Sequence, residues 1–300
     1  DKNKEITIGF AVFIFIFGVL WIFVLAPSFL YLDESFNYRA DISSVDNFYN
    51  EETQNFSGEQ VSTTIFRYSV VARRGDILDI SNVFEVRNTE GLPFFSTDRI
   101  YRIDRRTGEH VQDATSNRTG YLFAPRNAPK GSYTYWHVNY NSPAQMIFQN
   151  EEEIYGLKVY RYESDYHADQ TEDLRNLPGV GETKGMNLDI NLQLWIEPVS
   201  GRMVKYEDKA IAYYYDLQTG ERLNPWNKFN NNFTEESIEN QVNLAKSEKQ
   251  KIILLKWLVP ALLLLAIIAV FFIHFQNYSN KSYINNLRVK SIISDNGPSS

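Results

Sequence analysis

The sequence predicts a mainly β fold: a large antiparallel curved sheet or meander forming an exterior domain, flanked by two transmembrane α-helices. Two long uncharged runs, a succession of β-branched and aromatic segments between them, and a turn motif used three times carry this reading. The nine-residue shape Ile103 to Val111 (IDRRTGEHV) returns at Ile196 to Val204 (IEPVSGRMV) and at Tyr215 to Leu223 (YDLQTGERL). Each copy has an apolar residue, an acid, two variable residues, Ser or Thr, Gly, two more residues and a final apolar residue. The Gly falls four residues after the acid and between extended runs. That spacing suits a hairpin built on a type I turn followed by a left-handed residue. The acid accepts turn N–H groups, and Gly takes the positive φ at little cost. The rival reading, an anion nest or a metal loop, lacks the convergent carboxylates of a calcium loop.

The chain has 300 residues and no cysteine, which removes disulfides, thiolate metal sites and Cys nucleophiles. Residues 1–5 read as a short cytoplasmic terminus. Ile6 to Leu32 is 27 residues without a charge, long enough for a helix that crosses a bilayer, which needs about 20. It exceeds the apolar core of a cleaved signal and offers no clean small-x-small site, so a retained helix over 6–32 is expected. Trp257 to Phe275 is a second uncharged run of 19 residues. Lys256 and Trp257 serve as interfacial anchors at its start, and His274 lies at its far edge. Residues 276–300 then form a cytoplasmic tail. Charge near the spans is balanced, so the positive-inside rule does not decide the orientation. The length of the intervening domain favours export, with both termini cytoplasmic.

Residues 33–231 are read as the β-rich extracytoplasmic domain. Strand signals cover Val61–Arg73, Asp76–Asn88 (with a bulge), Phe95–Asp104, Tyr133–Tyr140, Gln145–Gln149, Ile154–Glu163, Met186–Glu197, Met203–Asp216 and Arg222–Trp226. Residues 232–256 change character. Acids come early and lysines late, which suits the helix dipole, and Asn232 or Thr234 can cap the start. Ile238, Val242 and Ala245 form an apolar stripe. A helical stalk running into the second span is expected, which would couple the domain to the membrane.

Residues 33–250 carry 23 Lys and Arg against 34 Asp and Glu. A nucleic-acid partner needs a basic face, so that class is excluded. Membrane lipids, other envelope or membrane proteins, or a second copy are the expected partners, and no cofactor is implied. Sequons at Asn55, Asn117 and Asn232 are glycosylation candidates for an exported domain, although Asn277 and Asn280 on the tail also head sequons.

Arg99, Arg102, Arg105 and Arg106 gather on one strand and turn as an anion-binding candidate, with pairing to acids as the plain alternative. Asp165, His167 and Asp169 are the only grouping that resembles metal ligands. They fall in a stretch that reads as a long solvated loop. The glycines at 179, 181 and 185 have neither dinucleotide nor Walker spacing. His137 sits among aromatics, where a hydrogen-bonded core histidine is the default. No hydrolase or metalloprotease motif occurs, so no catalysis is expected. Tyr135, Trp136, Tyr160, Tyr162, Trp195 and Tyr214 are the ligand-binding candidates. They would be the lining of a concave sheet that holds a lipid tail, or else core, or a partner surface.

The order of several segments carries a resemblance: RGDILDISNVFEVRNTE, YTYWHVNYNSPAQMIF, EEIYGLKVYRYES, NLPG and LQLWIEPVSGRMVKYED, between two terminal spans. The sharpest markers are Gly156-Leu157-x-Val159-Tyr160 and Trp195-Ile196-Glu197-Pro198-x-Ser200-Gly201. Over nearly its whole length the chain resembles the uncharacterised prokaryotic porin PorA family. The resemblance implies an envelope protein with a β-rich exterior domain held at both ends, and it supplies no catalytic residues. The porin label sits badly with the acidic, Asn- and Tyr-rich middle, because a spanning barrel needs lipid-facing apolar strands. The expected function is therefore binding: an accessory or structural subunit of an envelope assembly, or alternatively a holder of a lipid or other hydrophobic ligand. An oligomeric channel and a metal-dependent enzyme are the less favoured readings.

Overall fold

The computed structural model describes residues 2–112, 116–174, 182–273 and 275–276. His274, the glycines at 179 and 181, the tail sequons and nearly all of the predicted tail lie outside them. The chain forms two compact units, Tyr31–Gln250 and the terminal segments up to Leu30 and from Lys251.

In the terminal unit, α1 (Lys2–Leu20) continues through a π turn at Trp21–Leu25 into α2 (Ala26–Leu30). A short helix, α3 (Thr171–Leu174), and the long α4 (Glu235–Ile253) follow in the chain; α4 begins within Tyr31–Gln250, passes a π turn at Leu254–Leu258 and reaches Ile273. The two terminal helices are long and apolar enough to cross a membrane. The two π turns meet, because Trp21 Nε1 donates to the Leu255 carbonyl at 3.0 Å. A π turn disturbs the regular ladder of helix hydrogen bonds, and here an indole is at hand to occupy a carbonyl.

The unit Tyr31–Gln250 is one ten-stranded, wholly antiparallel sheet that curls on itself. Its strands are β1 (Asn37–Asn50), β2 (Asn55–Arg74), β3 (Ile77–Arg87), β4 (Pro93–Asp104), β5 (Ser132–His137), β6 (Ser142–Ile154), β7 (Leu157–Asp169), β8 (Lys184–Ile196), β9 (Met203–Asp216) and β10 (Arg222–Phe233). The spatial order is β4-β3-β2-β1-β10-β9-β8-β7-β6-β5. Neighbours in the chain pair as hairpins, and β1 joins β10 to close the row, with Ile42 opposite Phe233. The two edges, β4 and β5, are consecutive in the chain. Their connection lies along both: Val111 N donates to Arg102 O, His110 N to Gly120 O, and Tyr121 N to Thr134 O. The edges are thereby covered at Arg102–Asp104 of β4 and Thr134–Trp136 of β5, which shortens the template for strand addition.

Alternation sets the two faces. In β8, Met186, Leu188, Ile190, Leu192 and Leu194 are buried inside, while Asn187, Asp189, Asn191 and Gln193 face outward with at least partial exposure. The interior is filled by side chains, including Tyr162, Met146, Leu78 and Ile80. The bulge expected within Asp76–Asn88 lies instead in the partner strand β2, where Val71 is the extra residue between the Val70–Ile80 and Ala72–Asp79 pairs. The predicted strand over 154–163 is divided by Tyr155 and Gly156, both at positive φ, so Ile154 ends β6 and Leu157 begins β7. Two left-handed residues in a row make the tight turn that matches strand twist. Strand β1 and the second half of β10 are absent from the sequence reading. At the start of α4, Thr234 Oγ1 accepts the Ser237 N–H at 3.2 Å. Asn232, the other candidate cap, lies within β10.

Candidate functional site

All three copies of the turn motif are hairpin turns with one bonding scheme. The Gly N–H donates to the acid's carbonyl four residues back: Gly108 to Asp104 at 2.8 Å, Gly201 to Glu197 at 2.9 Å, and Gly220 to Asp216 at 2.8 Å. The acid's carboxylate accepts turn N–H groups, as Asp104 does from Arg106 and Thr107, and Asp216 from Gln218 and Thr219. The first two turns come together across the domain, and residues next to their glycines line one cleft.

That cleft has a volume of about 90 Å³. Leu32, Phe36, Phe123, Leu194 and Met203 supply apolar wall. Phe36 and Tyr68 each meet Phe123 edge-on, with centroids 4.9 and 5.2 Å away. Four arginines line it: Arg105, Arg106, Arg126 and Arg202. Three are engaged. Arg202 grips Glu248 of α4 with Nε and Nη2 (2.9 and 2.5 Å), reaches Gln241 Oε1 at 2.7 Å, and lies 5.5 Å over the Tyr38 ring. Arg105 Nε donates to the Leu32 carbonyl at 2.9 Å, and Arg106 pairs with Asp76. Both guanidiniums face the ring of Tyr31. Arg126 makes no hydrogen bond or ion pair among the described residues. Burial lowers its pKa, and Glu248 is the one acid whose charge acts against this.

Three tyrosines form the floor. Tyr38 donates to the Met203 carbonyl at 3.2 Å. Tyr68 and Tyr135 are 4% and 3% exposed, and neither hydroxyl has a hydrogen-bond partner among the described residues. Burial pushes the phenols of all three upward, so they stay protonated. The cleft thus offers a cation and two O–H donors, while its carboxylate, Glu248, is already taken.

A second polar cluster is sealed inside the sheet. His137 is wholly buried, with Nδ1 2.5 Å from Tyr166 Oη and Nε2 2.7 Å from Tyr206 Oη. Tyr206 donates to Asp208, which also accepts from Asn231 at 2.6 Å. With the Tyr206 proton committed to Asp208, the imidazole carries its proton on Nε2 and accepts from Tyr166 on Nδ1. Burial holds His137 down to about 3 and raises Asp208 to about 6, against the pull of its donors.

The predicted site residues are scattered. Arg99 reaches the Val138 carbonyl at 3.2 Å, Arg102 pairs with Asp79 at 3.0 Å, and only Arg105 and Arg106 reach the cleft. Of the aromatic candidates, Tyr135 lines the cleft. Tyr162 is core, and its hydroxyl donates to Pro129 O at 2.7 Å. Trp136 and Tyr214 are buried elsewhere in the sheet, and Tyr160 is partly exposed under Lys130. Trp195 is held by Glu152 at 2.7 Å and covered by Lys205. The loop expected around Asp165, His167 and Asp169 is instead the end of β7. These polar residues alternate with Tyr166 and Ala168, so the strand puts them outside and those two inward. Each has a protein partner: Asn191, Asp189 and Tyr215 respectively. No group of three metal-ligating side chains occurs among the described residues. Of the sequons, Asn55 and Asn117 are exposed, and Asn232 is half-buried in β10, bonded to Asn230.

Sequence reading missed Arg126 and Tyr68. A signal for Arg126 exists: residues 114–150 hold Arg118, Arg126 and Lys130 and no acid, inside an acidic domain.

The family model described as Porin PorA matches residues 5–273, nearly the whole chain. The chain belongs to the PorA family. No curated protein matches it. Among solved structures, a Bacteroides fragilis protein described as exported, with a YmcC-like fold, is similar at 9% identity over 66% of this chain and 96% of its own, with a TM-score of 0.27. The dehydratase domain from the CurF module of curacin polyketide synthase is similar at 10% identity over 70% and 80%, with a TM-score of 0.11. Likeness at this level carries no argument about activity.

Proposed function

We propose that this PorA-family chain is a membrane-anchored, extracytoplasmic binding protein of the cell envelope, and that the cleft takes an amphipathic ligand drawn from the membrane. One observation carries the reading. Apolar walls and unengaged donors share a cleft whose lining residue Leu32 is two residues along the chain from Leu30, the end of an apolar helix. That is at most about 7 Å of chain. A polar group entering from a bilayer meets the donors, and its apolar neighbours meet Phe36 and Phe123. The volume favours a headgroup over an acyl chain, since sites that engulf drug-sized ligands run to about 300–1,000 Å³. The filled sheet interior argues the same way.

The family's porin name would imply conduction. A filled interior and the polar outer row of β8 favour a binding domain over a barrel wall, whose outside is apolar. Single-channel recording in planar bilayers tests this, and reproducible conductance by the pure chain would overturn the binding reading. A scaffold for other envelope proteins is the second reading. It rests on the exposed faces of the terminal helices, such as Phe13, Phe23, Trp257 and Phe275. Native mass spectrometry of the full chain, gently extracted from its own membranes, separates the two. A lipid-sized adduct that Ala124→Trp abolishes without lowering Tm supports the cleft. A stoichiometric protein complex without an adduct supports the scaffold.

A further inference from the structure

The chemistry of the cleft narrows its ligand class. Among the described residues, its side-chain groups without a hydrogen bond include the Arg126 guanidinium and the hydroxyls of Tyr68 and Tyr135, both tyrosines more than nine-tenths buried; the guanidinium only donates, and a phenol donates or accepts. Three such groups around one space of about 90 Å³ suit a group that can accept from all of them. It must also be negative, because Arg126 cannot lose its proton at physiological pH. A hydroxyl or sugar can accept from these groups but brings no charge to set against Arg126, and a protonated amine repels it. A carboxylate offers two oxygens in one plane, whereas a phosphate offers several in a tetrahedral spread and suits donors arriving from different elements. Tyr68 comes from β2, Tyr135 from β5 and Arg126 from the loop between β4 and β5.

We infer that the cleft is a phosphate site, and that the phosphate is that of a phospholipid headgroup, with Arg126 as counter-ion and Tyr68 and Tyr135 as flanking donors. Arg105 and Arg106 stand at the same cleft, stacked on Tyr31, and add positive potential without being released from their partners. The apolar wall of Leu32, Phe36 and Phe123 selects a lipid over the free ion, by covering the glycerol and first methylenes and so removing apolar surface from water. This inference rests on the reading that the cleft is the ligand site, and it adds the chemical class.

The test uses the full chain, delipidated in a maltoside detergent. Binding of dihexanoyl phosphatidylglycerol, dioctanoylglycerol and inorganic phosphate is measured by native mass spectrometry and titration calorimetry. The expected result is one phosphatidylglycerol per chain, with at least tenfold weaker binding of the diacylglycerol and of inorganic phosphate. Arg126→Gln and the double variant Tyr68→Phe with Tyr135→Phe should each lose tenfold or more for phosphatidylglycerol. Tm should be unchanged or higher, because the removed groups have no partner to abandon. Arg222→Gln, whose arginine stacks on Tyr213 outside the cleft, should bind as the wild type does. Equal binding of diacylglycerol, undiminished by Arg126→Gln, would overturn the phosphate assignment and leave the cleft as a ligand site. Inorganic phosphate binding as tightly as the lipid would overturn the lipid source. No binding of any probe would overturn both the class and the site.

Discussion

Asp208 and Arg126 are both charged groups drawn out of water in the same curled sheet, and the fold treats them in opposite ways. Around Asp208 donors are in place: Tyr206 and Asn231 give it hydrogen bonds, and His137 and Tyr166 extend the chain behind Tyr206. Arg126 has only the charge of Glu248 nearby and no hydrogen bond or ion pair among the described residues, and the hydroxyls of Tyr68 and Tyr135 also go without a hydrogen bond there. A satisfied buried network specifies a core, whereas an unsatisfied one is a standing cost that an outside group can relieve.

The comparison can be broken at several points. Asp208→Ala should destabilise most, by about 3–5 kcal/mol, because it strands the side chains arranged around a buried charge. Denaturant unfolding measures this, and a loss below about 1 kcal/mol would make the network ornamental. Gly201→Ala comes next. Its φ is +75° and an added Cβ would stand 2.5 Å from the Ala124 carbonyl, so about 2–4 kcal/mol is expected. Gly220→Ala, with the same φ class and open space around it, should cost only about 1–2 kcal/mol. Equal losses would mean that the turn's conformation, and not its packing against residues 124–125, sets the demand.

Acidity sharpens the comparison further. Asp208 has a folded pKa of about 6, above its ordinary 3.8, so its contribution is complete below 3.8 and fades as pH rises through 6. His137, at about 3 against 6.5, contributes above 6.5 and fades as pH falls towards 3. The slopes oppose each other in the wild type. Asp208→Asn removes the first, so the variant's stability should fall more steeply than the wild type's between pH 6.5 and 3 in urea titrations. The smallest effect belongs to Arg126→Gln in the absence of lipid: within about 0.5 kcal/mol of wild type, or stabilising. A loss of about 2 kcal/mol or more would place Arg126 in the structural class with Asp208.

The hairpin arms were legible because their strands carry β-branched and aromatic residues and their turns carry Gly after an acid. The β1–β10 pair was not. NKFNNNF in β10 and DISSVDNFYN in β1 have the composition of loops, with low intrinsic strand preference. They are extended because each has a partner on both sides, its own hairpin neighbour and a strand from the far end of the domain. The same holds for Asp165 to Asp169, whose polar composition concealed a strand with a solvated outer face.

By itself the sequence determined the two apolar helices, the mainly β character and all three hairpin turns, since each follows from local composition, period or backbone freedom. Only the tertiary structure decided where those turns meet. Asp104–Gly108 and Glu197–Gly201 are about 90 residues apart, and the curl of the sheet brings them to one cleft. It also decided which of many arginines and tyrosines lack a partner, because partnership depends on what other strands deliver within 3 Å or so. Composition counts charges, and only the folded chain pairs them.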